Sequence, residues 1–157
     1  MKGRRAVLFV CLGNICRSPL AEAAFRAEAA RLGLQIDVDS AGTGGWHAGE
    51  PPDRRAQAVA RRHGVDIGLF RARQITRADF LKFDHIVALD RVNLAALRTK
   101  QPADAVARLS LLLDHVEGWE GQDVSDPYYG DLADFEITWA DVSAGAAGLA
   151  RRLAAVE

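Results

Sequence analysis

The chain has 157 residues, 49% apolar and 26% charged, with 20 basic and 21 acidic side chains and a net charge of −1. Such a chain is long enough for one domain with its own core and too apolar to be disordered, and it lacks the basic field that wholesale nucleic-acid binding draws on. Two cysteines, Cys11 and Cys16, cannot build the disulfide framework of a small secreted protein. Reduced thiols and a cytoplasmic location are expected instead.

Met1-Lys2-Gly3-Arg4-Arg5 followed by an apolar stretch to Leu12 loosely mimics a signal peptide. The stretch ends in Gly13-Asn14 and Arg17 without a small-residue cleavage site, and it falls far short of the roughly 20 residues of a membrane helix, so neither export nor membrane association is expected. Residues 6–10, Ala-Val-Leu-Phe-Val, read as a strand buried on both faces. After a Gly-Asn turn, Ser18 suits an N-cap and Pro19 the first helical position, which predicts a helix over 19–32 stopped by Gly33. The alternation at 35–40 predicts a second strand, and the Gly- and Pro-bearing segment 41–52 a loop. A helix follows over 53–63, stopped by Gly64, and a short helix starts near 76–79. Residues 85–89 read as a third strand, Asp90 opens a helix to about residue 100, and 106–113 read as a fourth strand. Residues 114–131 are mainly polar loop. An amphipathic helix over 132–156 closes the chain, with Phe135, Trp139, Val142, Leu149 and Leu153 facing the core.

Strands alternating with helices predict an α/β, doubly wound, four-stranded parallel sheet with helices on both faces, one domain over residues 1–157. Ligands of such sheets gather at the carboxyl ends of the strands, which is where Cys11, Asp90 and the 114–131 loop fall.

The informative stretch is Cys11-Leu12-Gly13-Asn14-Ile15-Cys16-Arg17-Ser18, between the first strand and the first helix. Backbone N–H groups of a tight loop converge on its centre, and the helix behind adds about half a positive charge at its N-terminus, so the loop is an anion cradle. Gly13 and Asn14 are residue types that tolerate left-handed backbone angles. Arg17 brings a planar fork matched to two phosphate oxygens. The field that attracts phosphate also favours a thiolate over a thiol, which makes Cys11 a candidate nucleophile for in-line attack on phosphorus. A Cys-x5-Arg spacing alone is weak in a chain so rich in arginine; the flanking strand and helix start give it weight. Cleavage also needs a proton for the leaving oxygen. Asp126-Pro127-Tyr128-Tyr129-Gly130-Asp131 offers a carboxyl stiffened by proline, beside two aromatic rings fit to wall a ring-bearing substrate. No Walker pattern is present, and no metal-ligand spacing occurs, since Cys-x4-Cys cannot complete a zinc site.

Cys11 to Ala21, CLGNICRSPLA, together with DPYYGD at 126–131, resembles the low-molecular-weight protein tyrosine phosphatases, and Ser40-Ala41-Gly42-Thr43, Trp46, Arg73-Gln74-Ile75 and Asp90 with Asn93 fit the same pattern. The resemblance implies a cofactor-free, metal-independent hydrolase of phosphotyrosine that forms a phosphocysteine on Cys11, with Arg17 as phosphate clamp and Asp126 as general acid. It implies that Leu12, Gly13, Asn14, Ile15, Cys16 and Ser18 form the phosphate-binding loop, Asn14 and Ser18 bracing it. Trp46, Tyr128 and Tyr129 would line a cleft deep enough for phosphotyrosine. Ile15 stands where relatives acting on phosphoarginine carry a small β-branched polar residue. Cys16 resembles a second loop cysteine that can bond to the nucleophile under oxidation. The implied partner is a phosphotyrosine-bearing protein, a tyrosine kinase among the candidates, with phosphate or another oxyanion in the site, and the chain acts as a monomer or weak dimer. Leu89, Ser125 and Asp131 depart from the family pattern.

Two rival readings share these residues. A thioredoxin-coupled arsenate reductase would need resolving cysteines near the third strand, and residues 76–100 contain none. A non-catalytic anion-binding module would be expected to have lost Cys11, Arg17 or Asp126. The blander readings are Trp46 as a core aromatic, Tyr128 and Tyr129 as packing residues, and Arg54-Arg55 through Arg61-Arg62 as a solvated helix face.

Overall fold

Four parallel strands make up the sheet of the computed structural model, which describes residues 4–156. Residues 1–3, where the signal-like stretch begins, and residue 157 lie outside the described residues. The strands are β1 (Arg5–Cys11), β2 (Ile36–Gly42), β3 (His85–Ala88) and β4 (Arg108–Leu111), in the spatial order β2-β1-β3-β4. Central β1 pairs with β2 from Arg5 opposite Ile36 to Cys11 opposite Gly42, and with β3 from Val7 opposite His85 to Val10 opposite Ala88. The helices are α1 (Arg17–Arg31), α2 (Arg54–Arg62), α3 (Asp79–Lys82), α4 (Arg91–Lys100) and α5 (Leu132–Ala155).

The apolar run of β1 is explained by its place between two cores. Val7, Phe9 and Cys11 face a core shared with α1, α2 and α5, while Ala6, Leu8 and Val10 face another built with Phe80 of α3 and Leu94 and Leu97 of α4. Phe9 meets Phe25 of α1 at 5.5 Å between ring centroids. Burial of such side chains, roughly 1.5–3 kcal/mol each, holds the helices to the sheet. Of the expected α5 contacts, Phe135, Val142, Leu149 and Leu153 are buried in the first core, and Trp139 is partly buried against it. The helix stops at Gly33 and Gly64 are real, with φ of 71° and 81°, angles that glycine adopts without strain. Among the described residues no helix is long and apolar enough to cross a membrane.

Strand order reverses between β1 and β3, so a crevice opens at their carboxyl ends. The loop after Cys11 and the residue after β3, Asp90, therefore meet there.

Three local expectations are corrected. The fourth strand stops at Leu111, because Leu112–His115 form a 3-10 turn in which the Asp114 carboxylate accepts from the Leu111 N–H at 3.1 Å. Helix α1 starts at Arg17, one turn position before Ser18, and Ser18 is not its cap. Gly13 does not adopt a positive φ; Asn14 does, at 60°.

Candidate active site

The loop 11–18 closes because Asn14 takes the left-handed turn that an asparagine tolerates, at 60°. Its side chain then binds in three directions. Asn14 Nδ2 donates to Ser18 Oγ at 2.8 Å and to Ser40 Oγ of β2 at 3.0 Å, while Asn14 Oδ1 accepts from the Arg73 N–H at 3.0 Å. Ser40 Oγ in turn donates to Glu22 Oε1 at 2.8 Å, and Glu22 is tied to Arg26 at 2.9 Å. Burial raises the Glu22 carboxyl above its ordinary range against those hydrogen bonds. A chain of polar contacts thus runs from the middle of α1 to the loop, and every member from Glu22 to Ser18 is buried.

Cys11 sits at the end of β1, 3% exposed. Its Sγ lies 3.0 Å from Ser18 Oγ and accepts from the Asn14 N–H at 3.3 Å. Ser18 accepts from Asn14, and its one hydroxyl hydrogen faces two acceptors, the Cys11 sulfur and, at 3.5 Å, the Ala41 carbonyl. No side chain caps α1, and no acidic residue lies in its first turn. The N–H groups and positive end of a 15-residue helix are left for whatever binds in the loop.

Arg17 is 3% exposed and gripped from one side. Its Nη1 donates to Asp90 Oδ2 at 2.6 Å and to the Val124 carbonyl at 3.0 Å, and its Nη2 lies 3.6 Å from Asp126 Oδ2. Asp90 also caps α4, accepting from the Asn93 N–H at 2.7 Å, so its carboxylate is fixed twice. Burial works against the Arg17 charge, but Cys11, Asp90 and Asp126 outweigh it and hold the guanidinium above the ordinary arginine range. Cys16 is the opposite case: burial first, then its neighbours Asp53, Cys11 and Asp126, push its thiol far up, so it stays protonated.

A cleft of about 270 Å³ opens over the loop, lined by Cys11, Arg17, Ile15, Trp46, Asp126, Tyr128 and others. The structure brings Cys11, Arg17 and Asp126 to one cavity, with Leu12, Gly13, Ile15 and Cys16 in its lining; Asn14 and Ser18 stand behind the loop. Trp46 is 71% exposed and Tyr129 97%, so both are rim residues and not core packing. Tyr128 and Tyr129 meet edge to face at 5.0 Å.

A model of the low molecular weight phosphotyrosine protein phosphatases matches residues 6–156.

The chain belongs to that family.

It is 48% identical over 126 residues to the low molecular weight protein-tyrosine-phosphatase YfkJ of Bacillus subtilis, covering 79% of this chain and 81% of that one. A Streptomyces coelicolor low molecular weight protein-tyrosine-phosphatase is 47% identical over 148 residues, covering 91% and 90%. The crystal structure of YfkJ superposes with a TM-score of 0.91 at 41% identity over 99% of this chain and 98% of that one. A protein tyrosine phosphatase of Entamoeba histolytica, with Hepes in its active site, gives 0.89 at 32% identity over 95% and 96%.

Within this phosphatase fold, some of the site was not foreseen. Glu22 gave no sequence signal, and Arg73, though it fits the family pattern, gave none that its backbone N–H would meet Asn14. His47 lines the cleft and pairs with Glu50 at 3.2 Å, although it had no evident partner in the sequence. Asp131, where the family pattern is broken, has a local reason: it caps α5, exchanging bonds with Asp134 at 3.2 and 2.9 Å. Among the described residues no group of three or more His, Cys, Asp or Glu side chains could hold a metal.

Proposed function

We propose that this phosphatase hydrolyses phosphotyrosine and aryl phosphates through a phosphocysteine on Cys11, with Asp126 as general acid. The observation that carries the reading is the sulfur itself: Cys11 Sγ lies on the floor of the cleft, at the uncapped N-terminus of α1, with Asp126 on the same cavity. Cys11 attacks phosphorus, the bond from phosphorus to the aryl oxygen breaks, and Asp126 gives its proton to the departing oxygen. Water then attacks the phosphocysteine, Asp126 takes a proton from it, the S–P bond breaks and phosphate leaves. Arg17 and the loop N–H groups hold the equatorial oxygens as charge shifts in each step.

The remaining residues set what enters. Leu12, Gly13, Asn14, Ile15, Cys16 and Ser18 form or brace the cradle, and Trp46, Tyr128 and Tyr129 flank the bound ring. The apolar Ile15 side chain in the lining suits an aromatic ring and offers no acceptor to a guanidino group. The protonated Cys16 is no rival nucleophile, and its pairing with Cys11 under oxidation is a further part of this proposal. Two unpaired thiols suit a reducing cytosol, where the partner is a phosphotyrosine-bearing protein such as a tyrosine kinase and the enzyme works as a monomer or weak dimer.

Phosphate release from matched phosphotyrosine, phosphoserine and phosphoarginine peptides tests the assignment. The expected order puts phosphotyrosine first by at least about tenfold in kcat/KM, with turnover unaffected by EDTA and independent of any added thiol reductant cycle. Phosphoarginine as the best substrate, or a requirement for a thioredoxin system, would overturn it.

A further inference from the structure

We propose that Arg55 is a positioning residue for the general acid, tying the acid loop to the phosphate loop through Asp53. The proposal rests on the reading of Asp126 above. It starts from an accounting of what holds residues 126–130 in place. Within the loop, Asp126 Oδ1 accepts from the Tyr128 N–H at 3.1 Å and the Pro127 carbonyl from the Gly130 N–H at 2.8 Å. These bonds shape the loop but do not fix it to the body. The stem before it is firmly attached: the Val124 N–H donates to the Leu89 carbonyl at 2.9 Å, and the Val124 carbonyl accepts from Arg17. The Asp126 side chain is 45% exposed, and its contact with the body outside the loop is the 3.6 Å approach to Arg17.

Arg55 supplies the missing tie. Its Nη1 donates to the Gly130 carbonyl at 2.8 Å and its Nη2 to the Tyr128 carbonyl at 2.9 Å. Among the described residues it is the one side chain from outside the loop that donates to the backbone between Asp126 and Gly130. The guanidinium also lies 4.6 Å from the Phe135 ring centroid and 5.8 Å from that of Tyr128, so its plane is held against the start of α5 and the cleft wall.

The other end of the tie is just as definite. Asp53 takes Arg55 in a two-toothed grip, Nε at 3.0 Å and Nη2 at 2.9 Å, and caps α2 by accepting from the Arg55 N–H at 2.8 Å. The Asp53 N–H donates to the carbonyl of Ile15, inside the phosphate loop, at 2.8 Å. An unbroken path therefore runs from the loop that carries the nucleophile, through Asp53 and Arg55, to the loop that carries the acid. Proton delivery to a leaving oxygen requires a set distance between those two loops, and a misplacement of about 1 Å can cost on the order of 10²-fold in rate. Arg55 does not touch the reacting atoms; it acts by holding Asp126 where they are.

The test is a series of aryl phosphates from 2,4-dinitrophenyl to phenyl, with kcat/KM plotted against leaving-group pKa. Arg55→Met is expected to change 2,4-dinitrophenyl phosphate by less than about 2-fold and phenyl phosphate by about 10-fold or more, because a good leaving group departs without a proton. Inhibition by inorganic phosphate, which reads the phosphate loop alone, should stay within about 2-fold. In an Asp126→Asn background, Arg55→Met should steepen the plot no further. Arg55→Lys and Asp53→Asn, which keep part of the tie, should give intermediate slopes and carry the test if Arg55→Met does not fold. A uniform loss across the series, or an unchanged slope, would overturn the proposal while Asp126→Asn still steepened the plot. A flat response to Asp126→Asn would instead remove the general-acid reading, and this proposal with it.

Discussion

The phosphate loop and the acid loop face each other across one cleft, yet they are built to opposite standards. In the first, Cys11, Asn14, Arg17 and Ser18 are all buried, and polar contacts reach them from α1, β2, the segment before α3, and Asp90 after β3. In the second, Asp126 is 45% exposed, Tyr129 is 97% exposed, and the tip is fastened by one arginine. A nucleophile and its oxyanion donors gain from being fixed before the substrate arrives, because no reorganisation is then needed in the transition state. In the proposed mechanism the Asp126 carboxyl gives and then takes a proton, meeting two different partners in two steps, and a loop with few ties allows that.

The contrast predicts where damage is greatest. Cys11→Ser should lower turnover by at least about 10⁴-fold while phosphate still binds, since the cradle remains; equilibrium dialysis with inorganic phosphate beside a p-nitrophenyl phosphate assay reads both. Asp126→Asn should cost about 10²–10⁴-fold on phenyl phosphate and far less on 2,4-dinitrophenyl phosphate. Equal losses on the two substrates would erase the distinction between the loops. Asn14→Ala removes three hydrogen bonds and puts a side chain that disfavours positive φ into the turn, a strain of about 1–2 kcal/mol, so both phosphate affinity and kcat should fall by about 10-fold or more. Ser40→Ala, one step further back, should cost roughly tenfold or less by the same assays.

The smallest expected effect lies away from both loops. His115 has burial and the Arg152 charge pressing its imidazole down to about 4, from an ordinary 6.5, and it sits with Nε2 at 3.0 Å from Ser110 Oγ and Nδ1 at 3.1 Å from Arg152. The fold therefore holds the neutral ring. Its contribution is complete above about pH 6.5 and is lost as the pH falls toward 4, because the unfolded chain takes up the proton first. Thermal unfolding should show a larger decrease in Tm over that window than His115→Gln shows, with activity at neutral pH unchanged.

The two loops also differ in how far they could be read from sequence, and for the same physical reason. The phosphate loop is contiguous, follows a strand buried on both faces and opens a helix, so its place in the fold was legible in eight residues. Even there one hydroxyl was misassigned: Ser18 is a good capping residue by type, but its oxygen serves Cys11 and Asn14 instead of α1. The doubly wound sheet was legible because alternating apolar strands and helices have few other arrangements. The fourth strand was drawn too long because Leu111-Leu112-Leu113 is equally apolar as strand or 3-10 turn, and the Asp114 side chain decides between them. The ties of the acid loop were not legible. Arg55 stands in an arginine-rich helix that looks like a solvated face, and the carbonyls it holds are more than 70 residues away. Glu22 gave no warning either, since a carboxylate on an alanine-rich helix is ordinarily exposed.

The central claim is that the sulfur of Cys11 takes the phosphoryl group from substrate before water does. Rapid acid quench during turnover of a phosphotyrosine peptide, followed by peptide mapping under conditions that preserve S–P bonds, tests it most directly. The account predicts one added phosphoryl group, on the peptide that holds Cys11, with Cys16 unmodified and the signal abolished in Cys11→Ser. Phosphate found on any other residue, or steady turnover with no phosphoenzyme formed even in Asp126→Asn protein, would contradict it.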